Sequence, residues 1–113
     1  MFSANGKAYT VRYNENKFKE LDFRIVAELL SELFHSVPVT GEMSDKALKL
    51  LFVIGLEEEK NGKRVPFKEG EEHFKRLIQK NSKERIQGLK KFISEKFYNE
   101  MPKFFSYLEN MNR

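Results

Sequence analysis

The first clear pattern in the chain is an alternation. From Lys7 to Tyr13, the residues Tyr9, Val11 and Tyr13 fall on one side and Ala8, Thr10 and Arg12 on the other, the period of a half-buried strand. Asn5-Gly6 just before it accepts the positive φ angles of a tight turn, so Phe2 to Ala4 is expected to pair back as a short first strand. Asn14-Glu15-Asn16 reads as another turn, after which Lys17 to Leu21 either returns as a third strand, the reading preferred here, or begins the next helix. At Asp22 the period changes. Ile25, Leu29 and Leu33 share one i+4 row, and Val26, Leu30 and Phe34 the next, giving a buried helix with a wide apolar face. Asp22 is placed to cap it, and Pro38 is expected to stop it after Val37.

A second start signal, Ser44 or Asp45, precedes Ala47, Leu48, Leu50 to Ile54 and Leu56, a run apolar almost all round. A buried strand over residues 50 to 56 is the alternative, but the cap and the Ala-Leu-Lys-Leu-Leu segment favour a helix. Residues 57 to 66 are polar and read as the main surface loop, with Glu57-Glu58-Glu59 as a solvated charge run. Phe74, Leu77 and Ile78 then mark a short helix ending near Asn81. Ser82 caps a longer one, with Ile86, Leu89, Ile93 and Phe97 in a narrow stripe and Pro102 as its stop. Beyond it, Phe104, Phe105, Tyr107, Leu108 and Met111 form a terminal apolar helix.

These elements define one α+β, mainly α domain over residues 1–113: a β-hairpin region (1–21), buried helices (22–56), a loop (57–66) and basic C-terminal helices (67–113). The expected architecture is a small N-terminal hairpin packed on a bundle of four to five helices. A length of 113 residues suits one hydrophobic core, and 40% apolar with 34% charged residues describes a soluble, folded chain with a well-charged surface. The longest apolar stretch, Leu50 to Leu56, is far below the ~20 residues that cross a bilayer. With no cysteine, no disulfide framework or thiolate metal site can form, and the cytoplasm is the expected compartment.

The net charge of +4 is unevenly placed: residues 1 to 60 carry 8 basic and 10 acidic side chains, residues 61 to 113 carry 13 and 7. Lys75, Arg76, Lys80, Lys83, Lys90 and Lys91, with Arg85 and Lys96 nearby, make a basic segment that could meet nucleic-acid phosphates. On a helical projection, however, the last five of these flank or back the apolar stripe and do not merge into one band. Packing of their methylene stems beside an apolar face, with the charge left in water, is the simpler reading, and Phe74, Phe92 and Phe97 then belong to the core.

No catalytic constellation emerges. Glu32 and His35 form a single Glu-x-x-His, the spacing that aims two ligands at a metal, but the position three before His73 is Gly70, so the second pair of a di-iron site is missing. Both histidines read as surface or helix-end residues. No Gly-x-Ser-x-Gly elbow and no Gly-rich phosphate loop can be written. No cofactor, metal or catalytic residue is expected, and the chain reads as a non-enzymatic binding protein. The aromatic load at the C-terminus, Phe104, Phe105, Tyr107, Leu108 and Met111, then has two readings: a helix docked on its own core, or an apolar surface for a partner helix or self-association.

The order of elements resembles that of phage tail assembly chaperones, small proteins encoded just before the tape measure protein of long-tailed phages. The likeness rests on the opening Asn5-Gly6-Lys7-Ala8-Tyr9-Thr10-Val11-Arg12-Tyr13, on Ala47 to Glu59 as a buried helix ending in Gly-Leu and acidic residues, and on the closing Pro102-Lys103-Phe104-Phe105. The C-terminal half is basic where that family is expected to carry a more acidic, alanine-rich tail. The resemblance implies a non-enzymatic role in the bacterial host cytoplasm: coating the long helical tape measure protein and keeping its apolar stripes from aggregating until tail tube subunits assemble. The terminal aromatic helix would then touch client helices or sister subunits, and the basic face acidic stretches of the client. The alternative is a small basic nucleic-acid-binding or regulatory module using the Lys75 to Lys96 region.

Overall fold

In the computed structural model, which describes residues 2–40 and 43–104, the chain opens with a β-hairpin. Strand β1 (Phe2–Ala4) pairs antiparallel with β2 (Lys7–Val11), with Phe2 opposite Tyr9. The turn is Asn5-Gly6, both at positive φ (55° and 78°), the backbone of a type I′ turn and the reason this dipeptide stands there. Tyr9, Val11 and Tyr13 are buried, as the alternation predicts.

The segment read as a third strand is instead a short helix, α1 (Glu15–Lys19), started by the Asn14 side chain, which accepts from the Lys17 N–H at 3.0 Å. The cap decides the outcome. It satisfies a free N–H of the first turn, while Phe18 faces inward to the core. Helix α2 (Phe23–Thr40) begins where expected: Oδ1 of Asp22 accepts from the Arg24 N–H, and its carbonyl from that of Ile25, both at 2.9 Å. It does not stop after Val37 but runs through Pro38 to Thr40. A proline this close to the end forfeits only the bond to the carbonyl four residues back, and the residues behind it keep N–H groups of their own.

Helix α3 (Asp45–Gly55), capped by Ser44 through the Ala47 N–H at 3.1 Å, is the central element, packed by α2, by the later helices α4 (Phe67–Lys80) and α5 (Lys83–Glu100), and by the sheet. Every residue from Leu50 to Gly55 is buried. The chain then enters β3 (Leu56–Glu58), a strand where the sequence predicts the end of the apolar run at Leu56 and a loop from Glu57, and it pairs antiparallel with β2, with Val11 opposite Leu56 and Tyr9 opposite Glu58. The sheet order is therefore β1-β2-β3. Gly55 permits this junction. A Cβ there would stand 2.4 Å from Cγ1 of Val11 and 2.7 Å from Cε1 of Tyr13, so no larger residue lets the helix end this close to β2.

Helix α4 (Phe67–Lys80) starts directly after Pro66, and α5 (Lys83–Glu100) after the Ser82 cap, ending before Pro102 as expected. Gly70 lets α4 lie against Val53 of α3. Ile93 and Phe97 of α5 reach the core, where Phe97 meets Tyr13 edge-on at 5.4 Å between ring centroids. Among the described residues the architecture is α+β and mainly α, a three-stranded antiparallel sheet with five helices. No helix among the described residues is long and apolar enough to cross a membrane.

Candidate functional site

The most prominent surface feature lies on α2. This helix has two apolar faces. Val26, Leu29 and Leu33 are buried and pack toward α3. About 100° around the helix, Phe23, Ala27, Leu30 and Phe34 share an arc of roughly 60° at 100° per residue. Phe23 is 63% and Phe34 60% exposed; Ala27 is exposed and Leu30 half-buried. Their spacing of four, three and four residues is the seam by which one helix packs along another. The periodicity of the chain assigns Leu30 and Phe34, with Val26, Leu29 and Leu33, to a single wide buried face, and does not mark Phe23 or Ala27. The fold divides that face in two, covering one half with α3 and leaving the other at the surface.

The polar groups beside this row are tied to the fold. Arg24 pairs with Asp22 at 2.9 Å, and Glu28 with Lys46 of α3 at 2.6 Å. Glu32 accepts from the Ser44 hydroxyl at 2.7 Å, and Nδ1 of His35 lies 2.6 Å from the Ser31 carbonyl. The Glu32 and His35 pair therefore does not converge on a shared ligand position. Among the described residues no group of three or more His, Asp or Glu side chains could hold a metal ion.

The sequence-derived partner surface is placed differently. Phe104 is 1% exposed, its ring 5.0 Å from that of Phe18 and 4.9 Å from that of Phe97. It belongs to the core, because Pro102 turns the chain back toward α1 at the end of α5. Phe105, Tyr107, Leu108 and Met111 lie outside the described residues. Of the aromatics assigned to the core, Phe74 and Phe97 are buried, but Phe92 is 44% exposed.

The basic segment is spread over two helices. Lys75, Arg76 and Lys80 are exposed on α4, and Lys83 and Lys91 on α5. Lys90 is committed to Asp45 at 2.8 Å, and Lys96 stands 3.7 Å from Glu100. Lys75 lines a groove of about 580 Å³ along α4, with Phe74 and Ile78 and with Glu71 and Glu72, so the charge there is of both signs. A smaller cleft of about 220 Å³ lies between α4 and α5, lined by Phe2, Leu77, Ile78, Ile86 and Leu89 with Asn81 and Arg85.

Three polar groups that the sequence places at the surface, Lys17, Glu57 and His73, are inside the molecule. Lys17 is 3% exposed; its ammonium donates to the Arg12 carbonyl at 2.6 Å, the Gly55 carbonyl at 2.9 Å and Oε2 of Glu57 at 2.7 Å. Burial pulls the Lys17 ammonium below its ordinary range, and the hydrogen bond to Glu57 opposes that shift. Glu57, read as part of a solvated run, is 5% exposed because β3 carries it under α1; Glu58 beside it pairs with Lys7 at 3.0 Å. His73 is buried as well. It lies 4.9 Å from Tyr9 and 5.6 Å from Phe2 between ring centroids, with Nε2 lacking a hydrogen-bond partner and Oε1 of Glu69 at 3.6 Å. No periodicity signals these groups, since each meets a partner far along the chain or on another element.

Compared with protein-family models, curated proteins and solved structures, the chain shows no match.

Proposed function

We propose that this chain is a non-enzymatic binding protein that holds amphipathic client helices, acting as a phage tail assembly chaperone for the helical tape measure protein in the bacterial host cytoplasm. The observation that carries this reading is the exposed row Phe23, Ala27, Leu30 and Phe34 on a helix whose other face is already buried. Such a row offers a client helix a 4-3-4 seam of apolar contacts. Two phenylalanines, 63% and 60% exposed, supply most of the area, each still able to bury about three-fifths of the ~150–250 Å² of an aromatic side chain. Contacts of this kind are few and non-directional, so they hold many related stripes along a long client weakly and release them when a tighter partner arrives.

The layout resemblance supports the same role, with a different surface from the one first expected: Phe104 serves the core, and α2 takes the client. The test is co-expression with a long helical client carrying heptad-spaced apolar stripes. The native chain is expected to keep the client in the supernatant, and the Phe23→Ser/Phe34→Ser variant to leave it in the pellet while itself remaining folded. Equal rescue by both chains contradicts the assignment.

A further inference from the structure

Where α4 gives way to α5, five apolar side chains converge without closing over one another. Phe2, Leu77, Ile78, Ile86 and Leu89 line the cleft of about 220 Å³, and each is half-buried. One wall is held firmly in place: the Phe2 ring stacks on Tyr9 at 5.2 Å and on Phe52 at 5.8 Å between centroids. The lining contains one cation, Arg85, and no carboxylate; Glu84, next to it in sequence, is not part of it. Among the described residues Arg85 forms no ion pair. Asn81, the other polar residue of the lining, turns its amide nitrogen back to the Leu77 carbonyl at 2.8 Å, which leaves the guanidinium as the charged donor beside the cleft. Arg85 stands in the first turn of α5, where the helix adds positive potential of its own, and the exposed Lys83 shares that turn.

We propose that this cleft binds a small monocarboxylate, its hydrocarbon body between α4 and α5 and its carboxylate on Arg85. Size sets the body. An apolar cavity of ~150 Å³ takes up benzene, so a cleft of about 220 Å³ accepts roughly six to nine carbons. Charge sets the head, because the planar fork of a guanidinium matches the two oxygens of a carboxylate, and an amine would meet it with like charge. A dicarboxylate is excluded by the same lining, since its second charge would lie against leucine and isoleucine without a partner. The cleft lies on α4 and α5, apart from the row on α2, so its failure leaves the client reading as it stands.

Titration of the full chain with octanoate, followed by calorimetry and by amide NMR shifts, tests the proposal. One molecule is expected to bind per chain, saturably, with the largest shifts at Leu77, Ile86 and Leu89. Affinity is expected to rise about threefold to fourfold per methylene from butanoate to octanoate, then to level off by dodecanoate, whose tail outgrows the cleft. Arg85→Gln, at an exposed position that leaves the fold intact, is expected to weaken octanoate about tenfold and to leave octanol unchanged. Leu89→Trp fills the cleft and is expected to abolish binding of both; should it fail to fold, the Arg85 comparison decides alone. Non-saturable uptake, equal affinity of the native chain and Arg85→Gln for octanoate, or shifts confined to the α2 row overturns the proposal.

Discussion

The ammonium of Lys17 lies 2.7 Å from Oε2 of Glu57, two buried charges 40 residues apart that join α1 to the β3 strand. The two further bonds from Lys17, to the carbonyls of Arg12 and Gly55, fasten the ends of β2 and α3 to the same nitrogen. One side chain thus collects four segments. A buried pair adds little stability over an apolar replacement of both partners, but removing Lys17 leaves the buried Glu57 carboxylate with only the half-exposed Arg12, its Nε 3.5 Å from Oε1. Lys17→Met is therefore expected to destabilise the fold by about 3–5 kcal/mol, and the double variant Lys17→Met/Glu57→Leu by distinctly less. Urea unfolding of the two, followed by circular dichroism, checks the ordering.

Gly55 is a second point of dependence. A methyl group there would overlap Val11 and Tyr13, both buried and held by the sheet and by α3. Gly55→Ala is expected to cost about 1–3 kcal/mol through overpacking. Gly88, where a Cβ meets nothing within 4 Å, is the control: Gly88→Ala in the middle of α5 is expected to raise stability by a few tenths to ~1 kcal/mol.

Tyr13 links the core to alkaline pH. Its hydroxyl donates to the Leu51 carbonyl at 2.6 Å, and burial, followed by the Glu100 carboxylate, raises its ionisation well above the ordinary 10.0. The folded state keeps the proton where the unfolded chain loses it, so this contribution to stability is complete below pH 10 and declines as pH rises beyond it. Tyr13→Phe is expected to lose about 1 kcal/mol at neutral pH, for the missing hydrogen bond, and to fall less steeply than the native chain above pH 10. Thermal melts between pH 7 and 11 give both slopes.

Phe104 separates core from surface. Its contacts with Phe18 and Phe97 make Phe104→Ala a cavity substitution, expected to cost about 3–5 kcal/mol. Phe34→Ala, at a 60% exposed position, is expected to leave stability within ~0.5 kcal/mol. Parallel denaturation curves compare them.

Much of this architecture is legible in the chain itself. The hairpin follows from the Asn5-Gly6 turn and the Tyr9, Val11, Tyr13 alternation, and α3 and α5 follow from their serine caps and apolar spacing. What escapes is what depends on distant partners. Leu56 closes an apolar run and Glu57-Glu58 opens what looks like a solvated loop, and only pairing with β2 makes the three a strand. Lys17 looks like any surface lysine until Glu57 arrives beneath it. On α2, spacing puts Leu30 and Phe34 on one apolar face with Val26, Leu29 and Leu33 and passes over Phe23 and Ala27, because whether a side is covered depends on where α3 lies.

The row on α2 is the centre of the account, and its affinity for a helix tests it most directly. A fluorescently labelled peptide of about four heptads, apolar at a and d, is titrated with the native chain and with Phe23→Ser/Phe34→Ser, and anisotropy gives the dissociation constant of each. The account predicts saturable binding by the native chain and a loss of at least about tenfold in the variant, as two anchor side chains of ~1 kcal/mol or more apiece require. Equal affinity of the two proteins, with both folded, would contradict it.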